Sequence, residues 1–380
     1  MKNILLFLLI SWQYSFSQVH DGIYQLNSID SLLTEEVKAV IDEEFQRKKV
    51  VFLGESVHYS GTDMLAKVEF VKYLVRKHNY KDIAFESDFF ALLFDHHKRN
   101  LYSIWSKSSQ CEKLFTFLEE NSVTIWGFDN RLIAPYSYEN FIKKLVNVLN
   151  KGGIELDEEY GRIANILIKN QYNSRKALST DEIEFLYDYT KKILKTEVIK
   201  SNTLWIQILN SFNTAIELYT VRDNNSDKKR IAIRDRQMAK NLDFLIDQNP
   251  NKKFIVWLAN GHMSKSNSAN MDGQTMGFQF RQLNPESSYH IALGSIRLAP
   301  RTERDIEKAA KNDKSILSLL PKINNNYFID ANRLKKNNPG FGNRLFRDLS
   351  IFNLESDKTY LLNHFDALVF IAMGEEVKYD

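Results

Sequence analysis

The sequence predicts an α/β protein with a mostly parallel central sheet flanked by helices, interrupted by a large helical insertion at about residues 135–233. Three observations lead there. Short apolar runs rich in β-branched and aromatic residues recur along the chain, each bounded by charge or glycine, as strands buried on both faces are. Between them lie amphipathic stretches, and strand alternating with helix implies parallel strands with helices on both faces. From about 135 to 233, helical segments follow one another with no convincing strand among them.

Taken in order, residues 1–17 have a basic start at Lys2, an apolar run over 4–10, and Ser15 and Ser17 flanking Phe16. That is the pattern of a cleaved export signal, so the mature chain, 18–380, is expected in the periplasm or outside the cell. The apolar run is far shorter than the roughly 20 residues of a bilayer-spanning helix, and no membrane anchor is expected. Helical spacing covers 34–48 and 64–77, while strands are expected at 50–53, 83–85, 123–126, 254–258, 291–293 and 368–371. Within the insertion, Ser179 with Glu182 three residues later makes a capping-box signature, and the polar run 223–229 marks an exit loop. Arg333, Lys335, Lys336, Arg344 and Arg347, among Asn and Gly, read as a solvated loop. Cys111 stands alone, which excludes an internal disulfide and a thiolate metal cluster and suits a small buried hydrophobe. The 51 basic and 48 acidic residues leave a net charge of +3, so no global field draws the chain to nucleic acid.

Candidate chemistry gathers where strands end. The first strand runs into Gly54, Glu55 and His58, the second into Glu86, the third into Asp129, and the fourth into Asn260 and His262. In parallel sheets, sites form beyond the carboxyl ends of the strands, so these side chains are expected in one crevice. His96 and His97 are adjacent in a helical stretch and point apart. His20, His78, His290 and His364 stand alone and read as structural. The chain has no G-x-S-x-G elbow, Walker loop, Rossmann glycine fingerprint or H-E-x-x-H, which argues against a serine nucleophile. A hydrolase without a protein nucleophile activates water, and needs a base together with a group that offsets oxyanion charge. His58 suits the first role, Lys67 or Arg234 the second.

Gly54-Glu55-Ser56-Val57-His58, followed by Lys67 and then Ala84-Phe85-Glu86, resembles the opening blocks of the erythromycin esterase family. Gly127-Phe128-Asp129, Arg234-Asp235-Arg236-Gln237-Met238-Ala239, Trp257-Leu258-Ala259-Asn260-Gly261-His262 and Phe365-Asp366-Ala367-Leu368 are similar to its later blocks, in the same order. The resemblance implies an α/β core with helical additions and a metal-independent esterase that opens a macrocyclic lactone. It further implies His58 as general base supported by Glu55, with Lys67 and His262 completing the site. The chain departs from the pattern at Tyr59, where glycine is usual, and at Ala259, where the family carries a second histidine.

The expected activity is therefore hydrolysis of a small or cyclic ester or lactone, with erythromycin itself a poor substrate. Glu86 is expected to position water or substrate, Lys67 to offset oxyanion charge and His262 to donate to the leaving alkoxide, while Asp129, Arg234 and Asn260 bind substrate. No cofactor is expected. Two other classes stay open. Glu55, His58, Glu86 and His262 are competent ligands for a divalent ion, which would make a metal-assisted hydrolase, and a ligand-binding protein without turnover would use the same crevice.

Overall fold

Alternate residues of the central strands face opposite sides of the sheet, and in this chain both sides are apolar. Val50, Phe52, Ala84, Val256 and Leu258 pack into one core, whereas Val51, Leu53, Phe85, Ile255 and Trp257 pack into the other. The computed structural model describes residues 21–170, 177–221, 226–266, 274–352 and 354–379; the expected signal at 1–17 and His20 lie outside them. The strands are β1 (Ile23–Gln25), β2 (Val50–Glu55), β3 (Asp82–Asp88), β4 (Thr124–Asp129), β5 (Phe254–Ala259), β6 (Ser288–Arg297), β7 (Tyr327–Asp330), β8 (Phe346–Asp348), β9 (Leu354–Thr359) and β10 (Ala367–Met373).

Eight of them form one sheet in the order β1-β7-β10-β6-β2-β5-β3-β4. From β10 to β4 every neighbour is parallel. Only β7 runs against this direction, with β1 antiparallel beyond it. The chain passes from β2 outward to β3 and β4, then returns to insert β5 between β2 and β3 before placing β6 on the other side of β2. The direction of winding thus reverses around β2, and a crevice opens there at the carboxyl ends. All six expected strands are present. The sequence reading missed β1, β7 and the separate β8–β9 ribbon, whose short or charged segments carry little apolar signal.

One face of the sheet is covered by the helices Glu35–Phe45, Gly61–His78 and Ser109–Glu120. Over the other lie the helices between β4 and β5: Pro135–Asn150, Glu158–Lys169, Thr180–Leu194, Glu197–Lys200, Thr203–Thr220 and Ser226–Asp247. The Ser179–Glu182 capping box is formed. The helical run continues to Asp247, past 233. Of the expected loop at 223–229, residues 223–225 are outside the described residues and the rest is already helix. Asn241 fixes this last helix to the sheet, its amide donating to Phe128 O at 3.0 Å.

Other expectations need correction. Arg333, Lys335 and Lys336 lie on the helix Ala331–Asn337, and Arg347 on β8, not in an open loop. His96 and His97 follow the short helix Phe89–Phe94; His96 bonds Ile125 O at 2.9 Å and His97 caps the next turn. Three histidines read as structural have local partners: His78 with Asp42, His290 with Met263 O and Ser288, and His364 with Ser264 and Thr359. Cys111 is buried.

Gly54 is the tightest point near the crevice. A Cβ there would overlap Asn260 Oδ1 and sit 2.9 Å from Met263 Sδ, because the turn after β5 folds directly over β2. Gly54→Ala should therefore lower stability by about 1–3 kcal/mol, the usual cost of overpacking a filled core. Thermal denaturation reads the loss, and an unchanged melting temperature would contradict this packing.

Candidate active site

At the end of β2 the chain makes a short loop before the helix Gly61–His78, and one carboxylate holds it. Asp63 Oδ2 accepts from the backbone N–H and the hydroxyl of Ser56 at 3.0 and 2.7 Å, while its Oδ1 accepts from Ser295 Oγ on β6 at 2.7 Å. Ser60 caps the helix by accepting from Asp63 N. This loop presents His58 with Nδ1 3.0 Å from Glu55 Oε1. An Nδ1–H donated to that carboxylate leaves the Nε2 lone pair free on the other edge of the ring. Of the His58 side chain 44% is exposed, and its ring packs edge-on against Trp105. Burial opposes the imidazolium, but the hydrogen bond to Glu55 and the charges of Glu86 and Glu55 outweigh it, so the pKa of His58 is raised.

Beneath Glu55 lies Lys67, fully buried, its ammonium paired with Glu55 Oε2 and 3.9 Å from the centre of the Trp257 ring. Burial pushes the Lys67 pKa down against the opposing pull of Glu55.

A second network is centred on Arg234, which reaches the crevice from the helix Ser226–Asp247. Its NH2 donates to Glu86 Oε1 at 2.7 Å and to Asp129 Oδ2 at 2.6 Å, and its Nε to Asp129 Oδ1 at 3.0 Å. NH1 stands 3.3 Å from His262 Nε2. Tyr102 donates its hydroxyl to Asp129, and Ala259 its N–H to Glu86 Oε2 at 3.2 Å. His262 Nδ1 lies 2.7 Å from Asp235 Oδ1, and Asp235 Oδ2 accepts from Met276 N at 2.9 Å. Burial would raise the carboxyl pKa values, yet His262 and Arg234 hold Glu86 far below its usual range, and Arg234 and Arg131 hold Asp129 down. For His262, Asp235 and Glu86 overcome burial and raise the pKa.

Both networks border a cleft of about 510 Å³ whose lining includes His58, Glu86, Arg234, Tyr102, Arg131 and Lys107. Three expected positions differ. Lys67 lies behind Glu55, its charge engaged there, and does not reach the cleft. Asp129 is fully buried and holds Arg234 in place of a substrate. Asn260 turns away, its amide donating to Leu293 O and Ile351 O at 2.8 and 2.9 Å. His262 touches Arg234 but is not among the residues lining the cleft, and its side chain is 13% exposed. Among the described residues, no group of three or more His, Cys, Asp or Glu side chains is placed to hold a metal ion. Of the residues competent as ligands, Glu55 is paired with Lys67 and His58, and Glu86 and His262 contact Arg234. The sequence reading missed Tyr102 and Arg131, and noted Asp235 only as the neighbour of Arg234 in a family-like block, with no role of its own.

The sequence profile of the erythromycin esterase family matches residues 66–373. The chain belongs to the erythromycin esterase family. It is 24% identical over 289 residues to YbfO of Bacillus subtilis (strain 168), whose name places it among the hydrolases; the match covers 65% of this chain and 64% of that one. The chain thus spans less than two thirds of that relative's length. Two solved structures share the fold at 15% identity. One is a succinoglycan biosynthesis protein, with a TM-score of 0.71 over 96% of this chain and 97% of that one. The other is a mutant of the erythromycin esterase EreC in its open conformation, with a TM-score of 0.69 over 93% and 98%.

Removing one member of a buried charge network strands the others, at a cost of about 3–5 kcal/mol. Arg234→Met should destabilise the protein by that order at neutral pH. The sign with pH follows from the depressed carboxyls: the stability they contribute is complete above their unfolded values of 4.5 and 3.8, and is lost as pH falls below those values. Denaturant unfolding at pH 7 and at pH 4 and below should show the gap between wild type and Arg234→Met narrowing in acid; a constant gap would contradict the network.

Proposed function

We propose that this protein is an exported hydrolase that cleaves a carboxylic ester or lactone with water activated by His58. The observation that carries this reading is the Glu55–His58 pair at the edge of the cleft: Nδ1 is held by a carboxylate, which leaves Nε2 as the base. In the reaction, Nε2 takes a proton from water, whose oxygen attacks the acyl carbon. The carbonyl π electrons move onto oxygen, where the guanidinium of Arg234, fixed by Glu86 and Asp129, offsets the charge. Collapse expels the alkoxide, which takes the proton from the His58 imidazolium. Glu55 stabilises that imidazolium, Lys67 orients Glu55 from below, and His262 with Asp235 steadies Arg234.

Replacing His58 by Asn should preserve the circular dichroism spectrum while lowering ester hydrolysis by roughly 10²–10⁴, the usual loss of a general base. Because only neutral imidazole accepts the proton, activity falls as pH drops through the His58 pKa. Glu55 and Glu86 hold that pKa up, so the acid limb should have its midpoint above the ordinary value of about 6.5. Equal activity in wild type and His58→Asn would remove His58 from the mechanism.

Ala259 adjoins Glu55 on β2 and donates only its backbone N–H, to Glu86. Since a methyl group cannot donate a hydrogen bond, and one oxyanion donor is worth roughly 10²–10³ in rate, erythromycin should be hydrolysed far more slowly than simple esters. Ala259→His should raise that turnover. Rapid erythromycin hydrolysis by the unaltered protein would overturn this restriction.

A further inference from the structure

Four cationic side chains line the cleft, Arg99, Lys107, Arg131 and Arg234, against one carboxylate, Glu86. The carboxylates closest to them are already engaged. Glu86 accepts from Arg234 and from Ala259 N, and both oxygens of Asp129 are bound by Arg234, one of them also by Tyr102. Arg131 meets Asp129 only at 3.8 Å, and Arg99 is paired with Asp95 outside the lining set. Lys107, exposed on the opposite wall, has no ion pair among the described residues. The remaining lining mixes Ser103 and Ser106 with an apolar part that includes Ile104, Ile133 and Pro135. A cleft with positive charge left over at its mouth and an apolar side attracts an anion that carries a hydrophobic body, and repels a cation.

Resting on the hydrolase reading above, we infer that the substrate is an anionic ester, in which a carboxylate or similar group is received by Arg131 and Lys107 while its apolar part lies against the Ile104–Ile133 wall. A neutral ester lacks this contact, and a substrate bearing an amine meets repulsion at the same place. Neither cation pairs with His58 or Glu55, so the charge governs which ester binds and not how the bond is broken.

The test uses two esters with the same leaving group, neutral 4-nitrophenyl butyrate and mono-4-nitrophenyl glutarate, whose acyl chain ends in a carboxylate. At low salt kcat/KM should favour the glutarate by about tenfold, through KM, and the preference should shrink as salt screens the charges. Arg131→Gln and Lys107→Gln should each lower the ratio of the two kcat/KM values about fivefold, the scale of one exposed ion pair. A second arm needs no turnover: calorimetric binding of 4-phenylbutyrate against its uncharged amide, to wild type and to Arg131→Gln. If neither ester is hydrolysed but the carboxylate binds more tightly than the amide and loses that advantage in Arg131→Gln, the anion site stands and the hydrolase reading fails. If both esters are cleaved equally well, or the carboxylate binds no better than the amide, the inference is overturned.

Discussion

Arg234 lies where water hardly reaches, and a guanidinium without water requires carboxylates around it. Removing an ion from water carries a penalty of several kcal/mol, recovered only with close and complete pairing. Here the pairing draws on Glu86 from β3, Asp129 from β4 and, through His262, Asp235 from the neighbouring helical position. Three separate parts of the chain are thereby locked at the carboxyl end of the sheet. The helix Ser226–Asp247 could not slide along β4 by one turn without leaving two buried carboxylates unmatched. On the opposite face Lys67 and Glu55 form a simpler version of the same constraint, with Trp257 beneath the ammonium. The cleft is the place where these two charged clusters face each other.

Much of this arrangement was legible in the sequence, because a strand that is apolar on both faces and then meets Glu or His announces both its position and its end. His58, Glu86 and Arg234 line one cleft, the first two from strand ends and Arg234 from a helix. What the sequence did not carry is which charge meets which. Lys67 and Asp129 look like groups offered to a ligand until the structure shows each one engaged by a closer partner, and Asn260 looks equally available until its amide is found bonding two carbonyls beneath the sheet. Asp235 stood beside Arg234 in a family-like block, and its role emerges only when the packing of 226–247 against the sheet brings it to His262. The edge strand β1 and its neighbour β7 escaped notice because three or four residues with polar neighbours give no periodicity to read.

One position on β2 brings the two sides of the site into contact. Gly54 lies under the turn that follows β5, so the segments bearing His58 and His262 are in van der Waals contact through a position with no side chain. Movement of either segment is transmitted to the other through packing, without a hydrogen bond between the two imidazoles.

The proposed base and the cations of the cleft are carried by different pieces of chain. His58 stands on the loop after β2, braced from the sheet by Glu55, whereas Arg99, Lys107 and Arg131 stand on the connections around β3 and β4, where their neighbours Leu101, Trp105 and Leu132 enter the cores while their own side chains reach solvent. Replacing those three side chains therefore removes no core contact. On the reading proposed above, such a scaffold can be re-addressed to a new molecule by altering its doorway, while the proton-transfer apparatus stays folded and ready.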